Sequence, residues 1–130
     1  DYAGIIGLGA AAEYLQKIGY KNIAEREYKL NKYLSEEILK IPKAKIIGPA
    51  DPSLRSGIVS FYVDGIDSHQ IAILLDETAN IMIRAGQHCV HSWFTAHGII
   101  TSARASLYFY NTMEEAEIFV NSLNKIIKIL

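Results

Sequence analysis

The stretch RAGQHCVHSW, residues 84–93, holds the only cysteine of the chain, Cys89. His88 and His91 flank it, Arg84 precedes it by five residues, and Arg104 follows it by fifteen. A lone cysteine of this kind is a core residue, a metal ligand or a nucleophile. Free cysteine is among the most buried residue types, but Gln87, His88, His91 and Ser92 surround this one with polar groups and Gly86 permits a turn. An exposed loop is predicted, where nearby arginine or histidine would draw the thiol toward its thiolate. His88, Cys89, His91 and His97 are ligand types for zinc, yet their spacings fit no ordinary zinc pattern and adjacent His88 and Cys89 chelate awkwardly, so no metal is expected.

Arg104 falls in the alternating run RASLYFY. An arbitrary strand arginine extends to a surface carboxylate, but a guanidinium held rigidly on a strand is also a planar, two-pronged donor for the carboxylate of a bound amino acid. The residues therefore reach a reactive thiol near a carboxylate-binding arginine, and name no reaction. GLGAAA, residues 7–12, fits the loose dinucleotide pattern G-x-G-x-x-A. No strand long enough precedes it and a helix follows, so these small residues are read as permitting close helix packing instead.

The elements that must position these side chains follow from hydrophobic period. Ile5, Leu8, Ala12, Leu15 and Ile18 predict a helix over 4–18, stopped at Gly19. A second helix is predicted from Asn22 as its cap, with Glu25 in box position, through Ile23, Leu30, Leu34 and Ile38 to a stop at Pro42. AKIIG and GIVSFYV read as strands; Asp67 with Gln70 opens a helix; IMI, residues 81–83, reads as a short strand before the cysteine loop. RASLYFY is a strand with Ala105, Leu107 and Phe109 on its core face, and Thr112 with Glu115 caps a last helix that packs Phe119, Leu123, Ile126 and Leu130 inward. The expected fold class is α+β: a small antiparallel sheet with helices on one face, preceded by a protruding N-terminal helix.

The chain has 130 residues, 50% of them hydrophobic, and a net charge of −1. That is enough for one domain with a real core, and it leaves no basic field for nucleic acid and no polybasic run for a membrane surface. A single cysteine forms no internal disulfide, which fits a cytoplasmic protein, and no apolar run approaches a membrane span or a signal peptide. The start at Asp1, directly in helical pattern, leads us to expect a piece of a longer protein.

Taken in order, GIIGLGAAAEYLQKIG, NIAEREYKL, IRAGQHC and RASLYFYNTMEEAEIFVNSLNKI resemble the C-terminal part of SufS/CsdA-type cysteine desulfurases. These are class V, fold-type I enzymes that use pyridoxal phosphate (PLP). The likeness runs over nearly the whole chain and is most specific in R-x-G-x-H-C and R-x-S-x-x-x-Y-N-T; residues 43–80 match in pattern more than in motif. It implies the small domain of such an enzyme, with residues 1–20 as the interdomain helix and the PLP-binding large domain absent. It further implies release of sulfur from L-cysteine to give L-alanine and a persulfide on Cys89, with Arg104 gripping the substrate carboxylate. Arg84 would position the loop or its charge, and His88 would support it. A sulfur-acceptor protein, iron–sulfur cluster assembly and a homodimeric parent come with the resemblance.

Three departures stand out. The cysteine is followed by VHS where Ala-x-Pro is common, Gln87 replaces a common histidine, and none of the nine lysines lies in the Ser-x-His-Lys context of the cofactor lysine. The fragment is therefore expected to hold no PLP and to be inactive alone. A selenocysteine lyase or another class V relative is the alternative enzyme; a PLP-independent sulfur carrier or metal-binding module is the alternative of another class.

Overall fold

The computed structural model describes all 130 residues. Helix α1 (Tyr2–Ile18) and helix α2 (Tyr20–Ile38) meet at Gly19, and strands β1 (Ala44–Ile47) and β2 (Ile58–Val63) follow. Then come α3 (Ser68–Ala79), β3 (Arg84–Gly86), α4 (His91–His97), β4 (Ser102–Ser106) and α5 (Met113–Ile127). The four strands form one sheet in the order β1-β2-β4-β3, every pair antiparallel. This is the expected α+β arrangement.

Period-two alternation sorts each strand between the two faces of the sheet. Val59, Phe61, Val63, Ala103 and Ala105 are buried, and they join Leu30, Leu34 and Ile38 of α2, Ile71 and Leu75 of α3, and Phe119, Leu123 and Ile126 of α5 in one core. Those helices cover that face because each carries an apolar stripe at helical spacing. Phe61 and Phe119 meet edge to face, with ring centroids 6.4 Å apart. At Gly57 an added Cβ would lie 2.1 Å from the Leu107 carbonyl oxygen, so only glycine lets the two segments come this close.

The Thr112–Glu115 capping box forms as predicted. The Asp67 carboxylate caps α3 by accepting from the His69 N–H, without a return bond from Gln70. Asn22 does not cap α2. Gly19 holds that position, and the Asn22 amide donates to the Ile18 carbonyl, closing the end of α1 instead.

Three strand limits differ from expectation. Ile81 and Ile83 pack against the core and Met82 is exposed, so the alternation of IMI is real, but the ladder with β4 begins only at Arg84. Hydrophobic period reports a face, not a hydrogen-bond partner. The strand in RASLYFY starts earlier, at Ser102, and ends at Ser106. The Asn111 side chain accepts from the Tyr108 N–H, a local bond that draws the backbone out of the ladder. Arg104 is thus central in β4 rather than first. Helix α4 occupies residues expected to be loop, and Leu130 lies beyond α5, about half exposed.

Helix α1 has no buried residue; Ile5 and Leu8 are 70% exposed. Nothing lies within 4 Å of a Cβ built on Gly7 or Gly9, so the close packing expected of GLGAAA has no partner within the chain.

Candidate active site

Strand register places Arg104. Its neighbours Ala103 and Ala105 point into the core, so its own side chain rises from the opposite face, which α2, α3 and α5 leave uncovered. On that face a row crosses the sheet: Ile47 pairs with Ser60, Ser60 with Arg104, and Arg104 with Arg84. Two like charges directly opposite each other on adjacent strands repel. No carboxylate relieves them, because the three ion pairs of the chain are Lys32–Glu36, Lys40–Glu37 and Lys45–Asp64. The Arg104 Nε is buried and has no hydrogen-bond partner. An anion placed here would gain two guanidiniums and quench their repulsion.

A cavity of about 310 Å³ opens over this row. Its polar wall is Ser60, His88, Ser102 and Arg104, and Val90 and Trp93 stand on its apolar side. Trp93 and Phe94 reach it from α4, whose Phe94 is buried and packs edge to face on Trp93.

The segment that carries the cysteine is bent sharply. Gly86 has φ 122°, and His88 and Cys89 follow at φ 50° and 63°. Glycine adopts such angles freely. Two successive non-glycine residues do not, and the left-handed region costs each on the order of 1 kcal/mol. Side-chain bonds hold the bend: the His88 Nε2 lies 3.1 Å from the Ser102 Oγ, a fully buried hydroxyl, and His91 Nδ1 bonds the Gln87 Oε1. Cys89 sits at the apex, exposed.

Burial, and then the positive charges of Arg104 and Arg84, push the His88 pKa below the ordinary histidine value. His88 is therefore neutral at neutral pH, and it adds no third cation to the arginine pair.

The structure thus brings Arg104, Arg84 and His88 onto one face and sets Cys89 next to them on the loop, although Cys89 is not part of the cavity wall. The four residues considered as a zinc set do not converge. His97 bonds the Trp93 carbonyl at 2.8 Å and stacks on its indole, while His88 and His91 are engaged separately. Ser102 and Ser60 were missed from sequence. Ser102 carried a usable signal, since it stands two residues before Arg104 and so shares its face. Trp93 carried none beyond proximity, and Gln87 was legible only as one of the polar groups around the thiol.

The family implied by the sequence uses PLP, whose aldehyde needs an amine to hold it. No lysine lines the cavity, and Lys45, on β1, is paired with Asp64 at 2.7 Å. Guanidinium, imidazole and hydroxyl donors suit the oxygens of a substrate carboxylate. They do not supply the cofactor's covalent anchor, so no residue of this chain is assigned to the cofactor itself.

Residues 1–119 match the aminotransferase class-V family. The chain belongs to that family. Among class-V relatives, a probable cysteine desulfurase of Xylella fastidiosa (strain Temecula1 / ATCC 700964) is 42% identical over 130 residues, covering all of this chain and 30% of that protein. The cysteine desulfurase of Escherichia coli O127:H6 is 35% identical over 127 residues, 98% of this chain and 30% of that protein. Among solved structures, the apo cysteine desulfurase from Thermococcus onnurineus NA1 superposes with a TM-score of 0.89 at 35% identity, over 96% of this chain and 31% of that one. The cysteine desulfurase CsdA from Escherichia coli gives 0.87 at 27% identity, over 98% and 31%. The chain spans just under a third of the length of these relatives. No helix of this class-V chain is long and apolar enough to cross a membrane.

Proposed function

We propose that this chain is the small, C-terminal domain of a PLP-dependent cysteine desulfurase, and that its parent converts L-cysteine to L-alanine and a persulfide on Cys89. The observation that carries this reading is Arg104. It is a strand-mounted guanidinium without an acidic partner, opposite Arg84, in a cavity whose rim leads directly into the strained cysteine loop.

Arg104 takes the substrate carboxylate through paired N–H donors, and its rigid strand fixes where the rest of the amino acid lies. Arg84 adds a second positive charge to the same oxygens. Neutral His88 ties the loop to Ser102. When bound, PLP supplies the electron withdrawal that lets the substrate's Cβ–S bond break. The Cys89 thiolate attacks the substrate sulfur; a sulfur–sulfur bond forms as the Cβ–S bond breaks. The bonding pair stays on the substrate carbon side, where a proton completes the methyl group of alanine. The outer persulfide sulfur then passes to an acceptor protein. An exposed apex suits both transfers, since a thiol facing substrate at one moment must meet a protein at the next.

Residues 1–20 fit an interdomain connection because the apolar side of α1 lies uncovered. We assign the cofactor lysine to the large domain, the parent to a cytoplasmic homodimer, and the isolated chain to an inactive state.

In the parent, Cys89→Ser should abolish persulfide on the protein after incubation with L-cysteine, read by mass spectrometry. Sulfur transfer that continues unchanged would remove Cys89 from this role. The isolated chain should bind no PLP and release no alanine; robust turnover by it would overturn the division of labour between domains.

A further inference from the structure

Gln87 and His91 bracket Cys89 at equal distance in the chain, and their side chains meet across it. The Gln87 Nε2 donates to the Ile100 carbonyl at 3.0 Å, which orients the amide so that its Oε1 faces His91. The His91 Nδ1 must then carry the proton and donate to that oxygen. The Gln87 backbone carbonyl also accepts from the Val90 N–H at 2.9 Å. One residue therefore ties the loop at three points: to the segment leading into β4, to the first residue of α4, and to itself across the bend. His88 and Cys89, the two strained left-handed residues, lie inside this closure.

From this geometry we infer that Gln87 is a positioning residue, acting through His91 to hold Cys89 at the apex. The inference rests on the reading of Cys89 as the sulfur-accepting thiol. Left-handed backbone at two successive non-glycine positions persists only when its surroundings over-determine it. The His88–Ser102 bond holds the side before the thiol, and the Gln87–His91 clasp holds the side after it. Without the clasp the bend relaxes toward ordinary backbone angles, and the thiol is misplaced in most molecules. Arg104 sits on β4, outside the clasp, so substrate capture is untouched.

The test uses the intact parent. His91→Ala, which removes one positioned hydrogen bond, should slow single-turnover persulfide formation on Cys89 roughly tenfold, and Gln87→Ala, which also removes the bond to the Ile100 carbonyl, should slow it at least as much, with KM for L-cysteine unchanged in both. The double variant should be no slower than Gln87→Ala alone, because the bond that His91→Ala removes is already lost there. His91→Asn, whose amide nitrogen replaces Nδ1 as donor, should restore the rate to within about twofold. Hydrogen exchange should quicken over residues 86–92 alone in the two alanine variants. Unchanged rates, losses that multiply in the double variant, or a rise in KM would overturn the inference. Continued sulfur transfer in Cys89→Ser would instead defeat the underlying reading, and the exchange result would still decide whether the clasp holds the loop.

Discussion

The two faces of one sheet obey opposite rules. On the covered face, Val59, Phe61, Val63, Ala103 and Ala105 find every partner they need within the chain, in α2, α3 and α5. On the open face, Arg104 stands beside Arg84 with no carboxylate and an unpartnered Nε, and a cavity lies above it. The same backbone alternation builds both, so the contrast comes from side chains alone. A face that is complete in itself carries stability. The face left electrostatically incomplete is the one to which we assign substrate binding, because its deficit suits a carboxylate.

Substitutions on the two faces should therefore separate stability from function. Phe61→Ala on the covered face should lower unfolding stability by about 3–5 kcal/mol, since a fully buried aromatic leaves a cavity the sheet cannot close. Urea denaturation of the chain measures it, and a loss below about 1 kcal/mol would break the comparison. Arg104→Ala on the open face should leave the urea midpoint nearly unchanged. In the parent it should reduce kcat/KM for L-cysteine by roughly 100-fold, the scale of charge-assisted bonds to a carboxylate.

A smaller effect tests the electrostatics of the open face. The folded His88 pKa lies below its ordinary value, so in the range between them the unfolded chain binds more protons. Its contribution to stability is complete above the ordinary histidine value and is lost as pH falls from there through the folded pKa. His88→Gln should flatten the fall in thermal midpoint over that acid range. Arg84→Gln should flatten it in part, because Arg84 is the third cause of the shift, after burial and Arg104. A profile that His88→Gln flattens and Arg84→Gln leaves unaltered would show that the Arg84 charge does not reach His88.

The smallest effect belongs to α1. Leu8→Glu should change the stability of the chain by less than about 0.5 kcal/mol, because Leu8 touches no core within it. The same change in the parent should weaken the packing of the small domain onto the rest, seen as faster proteolysis near residue 19.

Most elements were legible from short-range pattern. Apolar spacing in α1, α2 and α5, the Thr112–Glu115 box, and the alternation in β2 are properties of a few neighbouring residues, and local physics decided them. The errors fell where a distant or competing partner intervened. Asn22 found the end of α1 instead of heading α2, and Asn111 ended β4 by capturing the Tyr108 N–H. Helix α4 forms over a segment too polar and too short to announce itself, anchored by Phe94.

The site divides in the same way. The sequence by itself determined that Cys89 stands among polar residues on an exposed bend and that Arg104 lies on a strand with its charge away from the core, because residue types and a period of two suffice for both. Only the tertiary structure decided that Arg84 faces Arg104, that Ser102 receives His88, and that Gln87 and His91 close around the thiol. Strand register fixes the first two, and register follows from how the whole covered face packs. The clasp needs the chain to turn back on itself, a geometry that no local preference encodes.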